Sequence, residues 1–325
     1  MSSTYLNIVY KLYKRGVLKS LNYVNPALLK TNIYITESVC VQNEKQFSSY
    51  GVSIESKNIS LSKCTGETIE RVFLNSQRKQ QASSDDRTGS GLATGTKREE
   101  ILLRAIYELV ERDAFMLCFL AKFLPKRLDE KNVWKHLGYP KIKNYFKKYV
   151  FYFFDITNDV SIPSFAVFMT YGSGKKTIIS AGIKSNINPL KAILGALEES
   201  ILEMVLKQSK KIKQAENNLL ILSYKEWKKH FFHEKKNYVL AKKTQKPLSN
   251  RDELRAVSKK LDALHMNYSY VDVSPELCDE TLYRLYKVTI PSLQHLFFYK
   301  NRDKINKSRI KQINRYLRQA SPQNG

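Results

Sequence analysis

Two short segments of this sequence carry the same five-residue pattern, in which two glutamates are followed by an arginine. The segments are Glu67–Arg71 (Glu-Thr-Ile-Glu-Arg) and Glu108–Arg112 (Glu-Leu-Val-Glu-Arg). Spacings of three and four residues place both glutamates and the arginine on one face of a helix. A third predicted helix adds Glu199 and Glu203, again one turn apart. The sequence therefore predicts three helices that each present carboxylates on one face.

Convergence of these three faces would bring five or six carboxylates into a small volume. Two like charges about 4 Å apart repel by roughly 4 kcal/mol at an effective dielectric constant of about 20. Such a cluster requires cations, and its hard oxygen ligands suit Mg²⁺ or Ca²⁺. Mg²⁺ usually keeps a substrate phosphate among its ligands, and the neighbouring arginines and the Gly/Ser/Thr-rich segment 83–96 are suited to bind one. We therefore predict a site for a nucleoside triphosphate with Mg²⁺.

The predicted nucleotide site matches neither of two common nucleotide-binding signatures. The sequence contains no Gly-x-x-x-x-Gly-Lys-Ser/Thr segment and no protein-kinase motif set. Each Glu-x-x-Glu-Arg pattern taken alone is equally well explained as a salt-bridged, solvated helix surface. The repetition favours function, because apolar neighbours such as Ile69, Val72, Ile106 and Leu109 would seat these helices in a core.

Helices and strands alternate along the chain without the regular βαβ order of a parallel sheet. The pattern predicts a helix and an extended run within 1–45, helices over 62–78, 97–122, 188–207 and 303–319, a loop over 83–96, and strands over 149–154, 162–171, 176–183 and near 237–241, 268–273 and 284–290. Thr96 and Glu99 predict a capping box at the start of the helix over 97–122. The fold class predicted is α+β, as one domain with appended terminal helices.

Composition limits the class of protein. The chain has 325 residues, of which 42% are hydrophobic, enough for a sizeable core. No apolar run approaches the roughly 18 residues of a membrane-spanning helix, so we expect no membrane association. Four widely spaced cysteines without paired spacing predict a reducing cytoplasm, and they argue against a zinc site or a disulfide frame.

Positive charge is concentrated in two segments of a chain whose net charge is +25. Residues 206–260 contain sixteen basic and five acidic residues, and residues 299–318 contain eight and one. Solvated lysine-rich helices explain this distribution, and so does a surface for an acidic protein, an acidic leader peptide or nucleic acid. No RNA-binding motif favours nucleic acid, so we do not expect it as a partner.

Five segments together resemble the YcaO family. The central one, Gly91–Glu100 running into Ala105–Ala114, is the most specific; the others are Lys57–Ser60 with Gly66–Arg71, Ala192–Glu203, Tyr270–Ser274 and Tyr286–Pro291. The resemblance runs from about residue 50 to 300. It implies a single YcaO-like α+β domain over 46–300, with carboxylate-bearing helices packed on mixed strands. Residues 1–45 would form an N-terminal helical and extended segment, and 301–325 a basic C-terminal helix and tail.

The resemblance also implies a chemistry. Members of the family use ATP and Mg²⁺ to activate a backbone amide oxygen by phosphorylation, and a nucleophile then attacks that amide. A neighbouring Cys, Ser or Thr side chain gives an azoline, sulfide gives a thioamide, and an amine gives an amidine. The azoline reaction, catalysed by a peptide cyclodehydratase, is the activity that the resemblance favours for this chain.

Site residues are carried over by the same resemblance. It assigns Mg²⁺ to Glu67, Glu70, Glu108, Glu111 and Glu203. It assigns ATP contacts to Lys57, Glu67, Arg71, Ser90, Thr96, Glu100, Glu108, Arg112 and Glu199. It assigns catalysis to Glu70, Glu111 and Arg112.

Four departures from the family pattern bear on the product. Lys63 stands where the first motif commonly has Ser, Thr96 replaces a usual Asn, and Leu202 falls where Gln is frequent. The chain ends Ser-Pro-Gln-Asn-Gly, whereas azoline-forming members often end in a Pro-x-Pro-x-Pro tail. Thioamide formation, amidine formation and reduced activity therefore remain open.

Partners follow from the same resemblance. We expect the substrate to be a ribosomally synthesised precursor peptide with a leader, of the bacteriocin type. We expect that the residues outside the family domain are too few for a full leader-binding module. We therefore expect an E1-like or ThiF-like partner with a peptide clamp, often accompanied by a flavin-dependent dehydrogenase. The alternative from another class is a non-catalytic basic scaffold subunit that binds nucleic acid or an acidic partner.

Overall fold

The structure is a computed structural model, and it describes residues 3–24, 31–80, 89–121, 124–173, 177–209, 231, 238–239, 248–279, 281–294 and 305–320. The chain forms two compact units. Unit 1 comprises Met1–Ile106 with Ser269–Thr289, and unit 2 comprises Tyr107–Tyr268 with Ile290–Gly325. Helices and antiparallel sheets occur in both units, which confirms the predicted α+β class.

The elements are numbered here in chain order. The helices are α1 (Ser3–Lys14), α2 (Lys57–Gln80), α3 (Arg98–Leu120), α4 (Glu130–Leu137), α5 (Pro140–Tyr145), α6 (Pro189–Gln208), α7 (Asn250–Asp262) and α8 (Lys307–Ala320). The strands are β1 (Leu18–Tyr23), β2 (Tyr34–Gln42), β3 (Lys45–Ser53), β4 (Leu92–Gly95), β5 (Lys126–Arg127), β6 (Val150–Asp155), β7 (Ser164–Tyr171), β8 (Ile178–Ser185), β9 (Ser269–Asp272) and β10 (Arg284–Thr289).

Unit 1 places α2 directly on an antiparallel sheet in the order β1-β2-β3. A Cβ at Gly51 of β3 would lie 2.0 Å from the backbone oxygen of Ser60, so only glycine permits this approach. The buried hydroxyls of Ser38 and Thr68 are 2.6 Å apart and join β2 to α2. Ile69 on α2 is fully buried in an apolar cluster with residues of α1 and the sheet. This packing fixes the direction in which α2 presents Glu67 and Glu70.

Unit 1 also contains a second antiparallel sheet, in the order β4-β10-β9. Leu92 to Gly95 of β4 pair with Lys287 to Arg284 of β10. The first turns of α3 follow β4 after Thr96 and Lys97. Part of the glycine- and threonine-rich sequence before α3 is therefore a strand, and this strand leads into the helix.

Unit 2 repeats the same kind of packing on a four-stranded antiparallel sheet in the order β5-β6-β7-β8. A Cβ at Gly182 of β8 would lie 2.0 Å from the backbone oxygen of Ala196 on α6. The buried core contains Phe115 from α3, Phe154 and Phe168 from the sheet, and Phe231. α6 is therefore held flat on β8, with its carboxylate-bearing residues beside that strand.

The C-terminal helix of unit 2 is anchored by a fully buried arginine. Arg309 on α8 donates from Nη2 to Oδ2 of Asp113 at 2.7 Å and from Nη1 to Oδ2 of Asp159 at 2.7 Å. Asp113, on α3, also accepts hydrogen bonds from the side-chain amide of Asn158 and the backbone N–H of Gln294. The bidentate pairs and extra donors match the buried carboxylates, so α8 is fastened to the part of α3 that follows Arg112.

Several predicted boundaries were wrong. The second helix begins at Lys57 rather than at 62, and the predicted loop 83–96 contains β4, while 81–88 lie outside the described residues. The backbone N–H of Ile101 donates to Lys97, so Thr96 is not the N-cap of α3 and the predicted capping box is wrong. The C-terminal helix spans 307–320 rather than 303–319.

Other elements differ from the prediction or were not predicted. Of the strand predicted near 237–241, only 238–239 are described, and Tyr238 makes an isolated parallel bridge with Leu128. The hairpin of β2 and β3, and the helices α4, α5 and α7, were not predicted. The described helices include none that is long and apolar enough to cross a membrane. All four cysteines are buried free thiols.

The buried arginine generates a prediction about stability. Arg309→Met should lower the free energy of unfolding by about 3–5 kcal/mol, because Asp113 and Asp159 would stay buried without a cation. Chemical denaturation followed by circular dichroism measures the loss. Arg315→Met, on the exposed side of the same helix, is the matched control and should change stability by less than about 0.5 kcal/mol. A loss below 1 kcal/mol for the Arg309 variant would contradict the anchoring role.

Candidate active site

In unit 1, the predicted carboxylates lie on α2 beside β4. Oε1 of Glu70 accepts a hydrogen bond from the backbone N–H of Thr94 at 2.9 Å. Glu67 forms an i,i+4 ion pair with Arg71 at 3.4 Å, and both side chains are about half exposed. Arg104, at the start of α3, donates to the backbone oxygen of Thr94 at 2.6 Å. One carboxylate and one guanidinium group thus contact Thr94 of β4, and the Glu67–Arg71 pair lies on the same helix as Glu70.

The side chain of Thr94 is the least satisfied polar group in this region. Its hydroxyl oxygen is buried and has no hydrogen-bond partner among the described residues. A Cβ at Gly66 would lie 4.0 Å from the Cβ of Thr94 and 3.8 Å from Nη2 of Arg104, so α2 presents only backbone there. A buried hydroxyl without a partner is costly, and a bound ligand is one way in which such a group is satisfied.

The other predicted nucleotide residues of unit 1 are dispersed. Lys57 is exposed at the start of α2, with its ammonium 6.0 Å from the ring centroid of Tyr23. Ser90 is buried, and its backbone oxygen accepts a hydrogen bond from Lys287 at 2.8 Å. Thr96 and Glu100 are exposed just before and within the first turn of α3. Glu67, Glu70 and Arg71 are therefore the predicted residues that α2 brings together.

In unit 2, three predicted carboxylates line one edge of β8. The backbone N–H of Ala181 donates to Glu203 at 2.6 Å, that of Ile183 to Glu199 at 3.2 Å, and that of Ser185 to Glu111 at 3.4 Å. Alternate residues of a strand direct their N–H groups to the same side, so three donors meet three carboxylates in register. β8 is the last strand in the described order of its sheet, and these side chains occupy its outer N–H groups.

The same carboxylates of unit 2 also have cations from their own chain. The ammonium of Lys184 lies 2.8 Å from Oε1 of Glu199 and 3.5 Å from Oε2 of Glu111. Lys207 forms an i,i+4 pair with Glu203 at 2.8 Å and donates to the backbone oxygen of Ile179 at 2.7 Å.

The remaining predicted pair of unit 2 lies within α3. Arg112 pairs with Glu108 at 2.5 Å, and both side chains are about one fifth exposed. This is the salt-bridged arrangement that the i,i+4 spacing alone predicts. The charge of Glu108 also raises the pKa of the nearby Glu111 carboxyl.

Burial dominates the electrostatics of Glu111. Desolvation raises the pKa of its carboxyl to about 8, and the charges of Glu199 and Glu108 act in the same direction, while Lys184 opposes them. That pKa already includes the opposing charges of Lys184 and Arg112, and a further cation close to the carboxyl would lower it.

The described residues bring together only part of the predicted set of metal ligands. In neither unit do three acidic, histidine or cysteine side chains of the described residues come together in a way that would hold a metal ion. Sequence reasoning missed Thr94, Lys184 and Lys207 and assigned no contact to Arg104. Only Lys207 had a signal in the sequence, because it follows Glu203 by one helical turn.

The sequence of this chain matches a known protein family. Residues 65–294 match the family described as YcaO cyclodehydratase, ATP- and Mg²⁺-binding. The match covers more than half of the chain, so the chain belongs to the YcaO family, and the predicted cofactors, ATP and Mg²⁺, are confirmed at the level of the family. No curated protein sequence matches the chain.

Solved structures confirm the YcaO-like fold. The YcaO protein from Methanopyrus kandleri bound with AMPPCP and Mg²⁺ is 12% identical, with a TM-score of 0.69 over 94% of this chain and 93% of that one. A heterocyclase in complex with substrate and cofactor is 14% identical, with a TM-score of 0.64 over 90% of this chain and 52% of that chain. This chain therefore spans about half the length of that heterocyclase. The E. coli microcin synthetase McbBCD complex is 12% identical, with a TM-score of 0.53 over 80% and 85%.

The residues of the two units differ in how they fit ATP and Mg²⁺. Unit 1 offers the hard oxygens of Glu67 and Glu70, the positive charge of Arg71 and Arg104, and the unsatisfied hydroxyl of Thr94. This donor set suits a metal-bound phosphate. In unit 2 the carboxylates are already matched by backbone N–H groups and by lysine or arginine side chains.

The close approach of α6 to β8 generates a second prediction. Gly182→Ala should lower the free energy of unfolding by about 1–3 kcal/mol or more, since its Cβ would meet the backbone of Ala196 and Ser200. It should also separate Glu199 and Glu203 from the N–H groups of β8, because α6 carries both residues. Gly66→Ala is the control: its Cβ would make only ordinary van der Waals contacts, with Arg104 and Thr94 at 3.8–4.0 Å, so stability should stay equal or rise by up to about 1 kcal/mol. Equal stabilities for the two variants, measured by denaturation, would refute the close approach.

Proposed function

We propose that this chain catalyses ATP- and Mg²⁺-dependent cyclodehydration of Cys, Ser or Thr residues to azolines in a ribosomally synthesised peptide. The observation that carries the proposal is the match of residues 65–294 to the YcaO cyclodehydratase family. Thioamide and amidine formation share the same amide activation and are the alternatives. The contacts within each unit support residue roles for the activation step.

The unit 1 residues are proposed to bind phosphate and metal. Glu67 and Glu70 would hold Mg²⁺, while Arg71 and Arg104 would offset phosphate charge. The backbone N–H of Thr94 fixes one oxygen of Glu70, which orients the other. The Thr94 hydroxyl is buried in the same place and would gain a hydrogen-bond partner. Lys57, Ser90, Thr96 and Glu100 remain proposed nucleotide contacts.

Contacts to Mg²⁺ and nucleotide are also proposed for residues of unit 2. Among the described residues, both donors to Glu111, namely Lys184 and the Ser185 N–H, contact Oε2. Oε1 of Glu111 would then serve as the ligand oxygen. Glu108, Glu199, Glu203 and Arg112 are the other residues of this unit with proposed contacts to Mg²⁺ or nucleotide.

ATP supplies the phosphoryl group that converts the amide oxygen into a leaving group, and Mg²⁺ offsets the phosphate charge. Glu70, Glu111 and Arg112 are the residues of this chain proposed to act at that step. A neighbouring substrate side chain would then attack the activated carbon and release phosphate, with a net loss of one water for each ring. An intramolecular nucleophile has a large effective concentration, which favours the azoline over capture of external sulfide.

For its partners, we propose that the chain acts as part of a multiprotein complex. One similar structure is a synthetase complex, and another is that complex with pro-MccB17 bound. By analogy, we propose that a precursor peptide with a leader is presented by an E1-like or ThiF-like partner with a peptide clamp, and that a flavin-dependent dehydrogenase acts afterwards. The cytoplasm is the proposed location. The basic segments 206–260 and 299–318 would attract an acidic leader or partner.

The role of α2 is tested by one carboxylate substitution. Glu70→Gln should lower ATP hydrolysis by about 100-fold or more, because a neutral amide cannot hold Mg²⁺ and phosphate in position. The amide oxygen can still accept from the Thr94 N–H, so the stability should change by less than about 1 kcal/mol. Glu55→Gln, exposed in the same unit, is the matched control. Full ATPase activity in the Glu70 variant would remove this glutamate from the site, and a wild-type chain that does not bind Mg-ATP would favour the scaffold alternative.

The nature of the product is tested by mass spectrometry of the precursor peptide. Each azoline makes the peptide one water lighter, a thioamide exchanges oxygen for sulfur, and a macrocyclic amidine loses water without using Cys, Ser or Thr. Replacement of substrate Cys, Ser or Thr by Ala should therefore remove the water losses one for one. A water loss that persists after every replacement, or a mass that rises with added sulfide, would refute the azoline product and leave amide activation standing.

A further inference from the structure

Lys184 is the central cation of the unit 2 carboxylates. It lies on β8 between Ile183 and Ser185, whose N–H groups donate to Glu199 and Glu111. Its ammonium contacts the same two carboxylates, at 2.8 Å and 3.5 Å. One residue therefore joins α3 and α6 across a single strand.

The packing leaves room for this lysine. Gly195 on α6 faces its stem, and a Cβ at that position would lie 2.8 Å from Cγ of Lys184. Any side chain at 195 would push the lysine away from Glu199. The glycine thus provides a seat for the Lys184 stem, while Gly182 allows α6 to lie close enough for the contact.

Each oxygen of the Glu199 carboxylate has a donor in this arrangement. Oε2 accepts from the N–H of Ile183, and Oε1 accepts from the ammonium of Lys184. A divalent ion bound to Glu199 would lie close to this ammonium and be repelled by its charge. Burial alone would lower the pKa of Lys184, but Glu111 and Glu199 outweigh burial and raise it, so the ammonium stays charged at neutral pH.

We propose that Lys184 is a built-in counter-cation for the Glu111–Glu199 pair, and that its ammonium takes the place of a second divalent ion there. Glu111 keeps Oε1 for the Mg²⁺ of the proposed function, whereas Glu199 serves Lys184. The inference rests on the proposed function only for that role of Glu111. The charge balance it describes exists without nucleotide, and its test therefore omits ATP.

Binding of Mn²⁺ to the nucleotide-free full chain, read by electron paramagnetic resonance of the free ion, tests the proposal. Lys184→Met keeps an apolar stem over Gly195 and removes the charge, so this variant should bind one more Mn²⁺ per chain than the wild type. Lys184→Arg keeps a cation and should match the wild type. Lys191→Met, an exposed lysine on α6, is the control for loss of one positive charge and should also match it.

A further substitution locates the additional ion. Glu199→Gln in the Lys184→Met background should remove the additional ion, because only one carboxylate of the Glu111–Glu199 pair would then remain. Equal Mn²⁺ stoichiometry in the wild type and the Lys184→Met variant would overturn the proposal, and so would an additional ion that survives the Glu199 substitution. Failure of the Glu70→Gln test would instead count against the proposed function, so the two outcomes are distinguishable.

A measurement on the wild type covers the case in which Lys184→Met does not fold. The Lys184 side chain is 38% exposed, so an amine-reactive reagent can reach it. Its ion pairs should make it react at least tenfold more slowly than Lys191, with or without saturating Mg²⁺. A Lys184 that reacts as fast as Lys191 when Mg²⁺ is added has been displaced by the metal, and that result would overturn the proposal.

Discussion

A carboxylate withdrawn from water must be met by hydrogen-bond donors or by a cation, and this requirement organises both units. For a buried carboxylate such as that of Glu111, the cost without a partner is several kcal/mol even after relaxation, more than one ordinary hydrogen bond returns, and it is smaller for the partly exposed Glu199 and Glu203. In unit 2 the outer N–H groups of β8 and the side chains of Lys184 and Lys207 supply the match. In unit 1 the Thr94 N–H does so for Glu70. The acidic helices are therefore held by strands rather than merely packed near them.

That match depends on how closely each helix approaches its strand. Gly51 lets α2 lie on β3, and Gly182 lets α6 lie on β8, each with only backbone at the point of contact. A carboxylate side chain is short, so it reaches a strand N–H only when the helix axis is close to the sheet. Each unit thus combines an antiparallel sheet, a glycine in one strand and an acidic helix laid across it. In unit 2 the glycine lies in the strand whose N–H groups meet the carboxylates, whereas in unit 1 the donor to Glu70 lies on β4 of the other sheet.

The sequence predicted what is local and missed what is tertiary. Spacings of three and four residues were enough to place Glu67 with Arg71 and Glu108 with Arg112, because a helix fixes those neighbours. Nothing near Lys184 in the sequence indicates Glu111, since the contact joins a strand and a helix that are far apart along the chain. The same holds for Asp113 and its partner on α8, which are separated by 196 positions. β4 was predicted as loop because its composition is that of a turn, but pairing with β10 outweighs that local preference.

The donors around the carboxylates fall into two kinds that behave differently when a ligand binds. Backbone N–H groups such as that of Ala181 are fixed by the sheet, so they hold a carboxylate oxygen in the same place whether or not a metal is present. Ammonium groups sit on flexible stems: that of Lys207 can be exchanged for another cation, whereas that of Lys184 is proposed to stay beside Glu199. The fixed donors therefore preorganise the site, and the mobile ones keep its charge balanced. Because Glu199 is satisfied by one donor of each kind, its affinity for metal is set by how firmly the Lys184 ammonium is seated over Gly195.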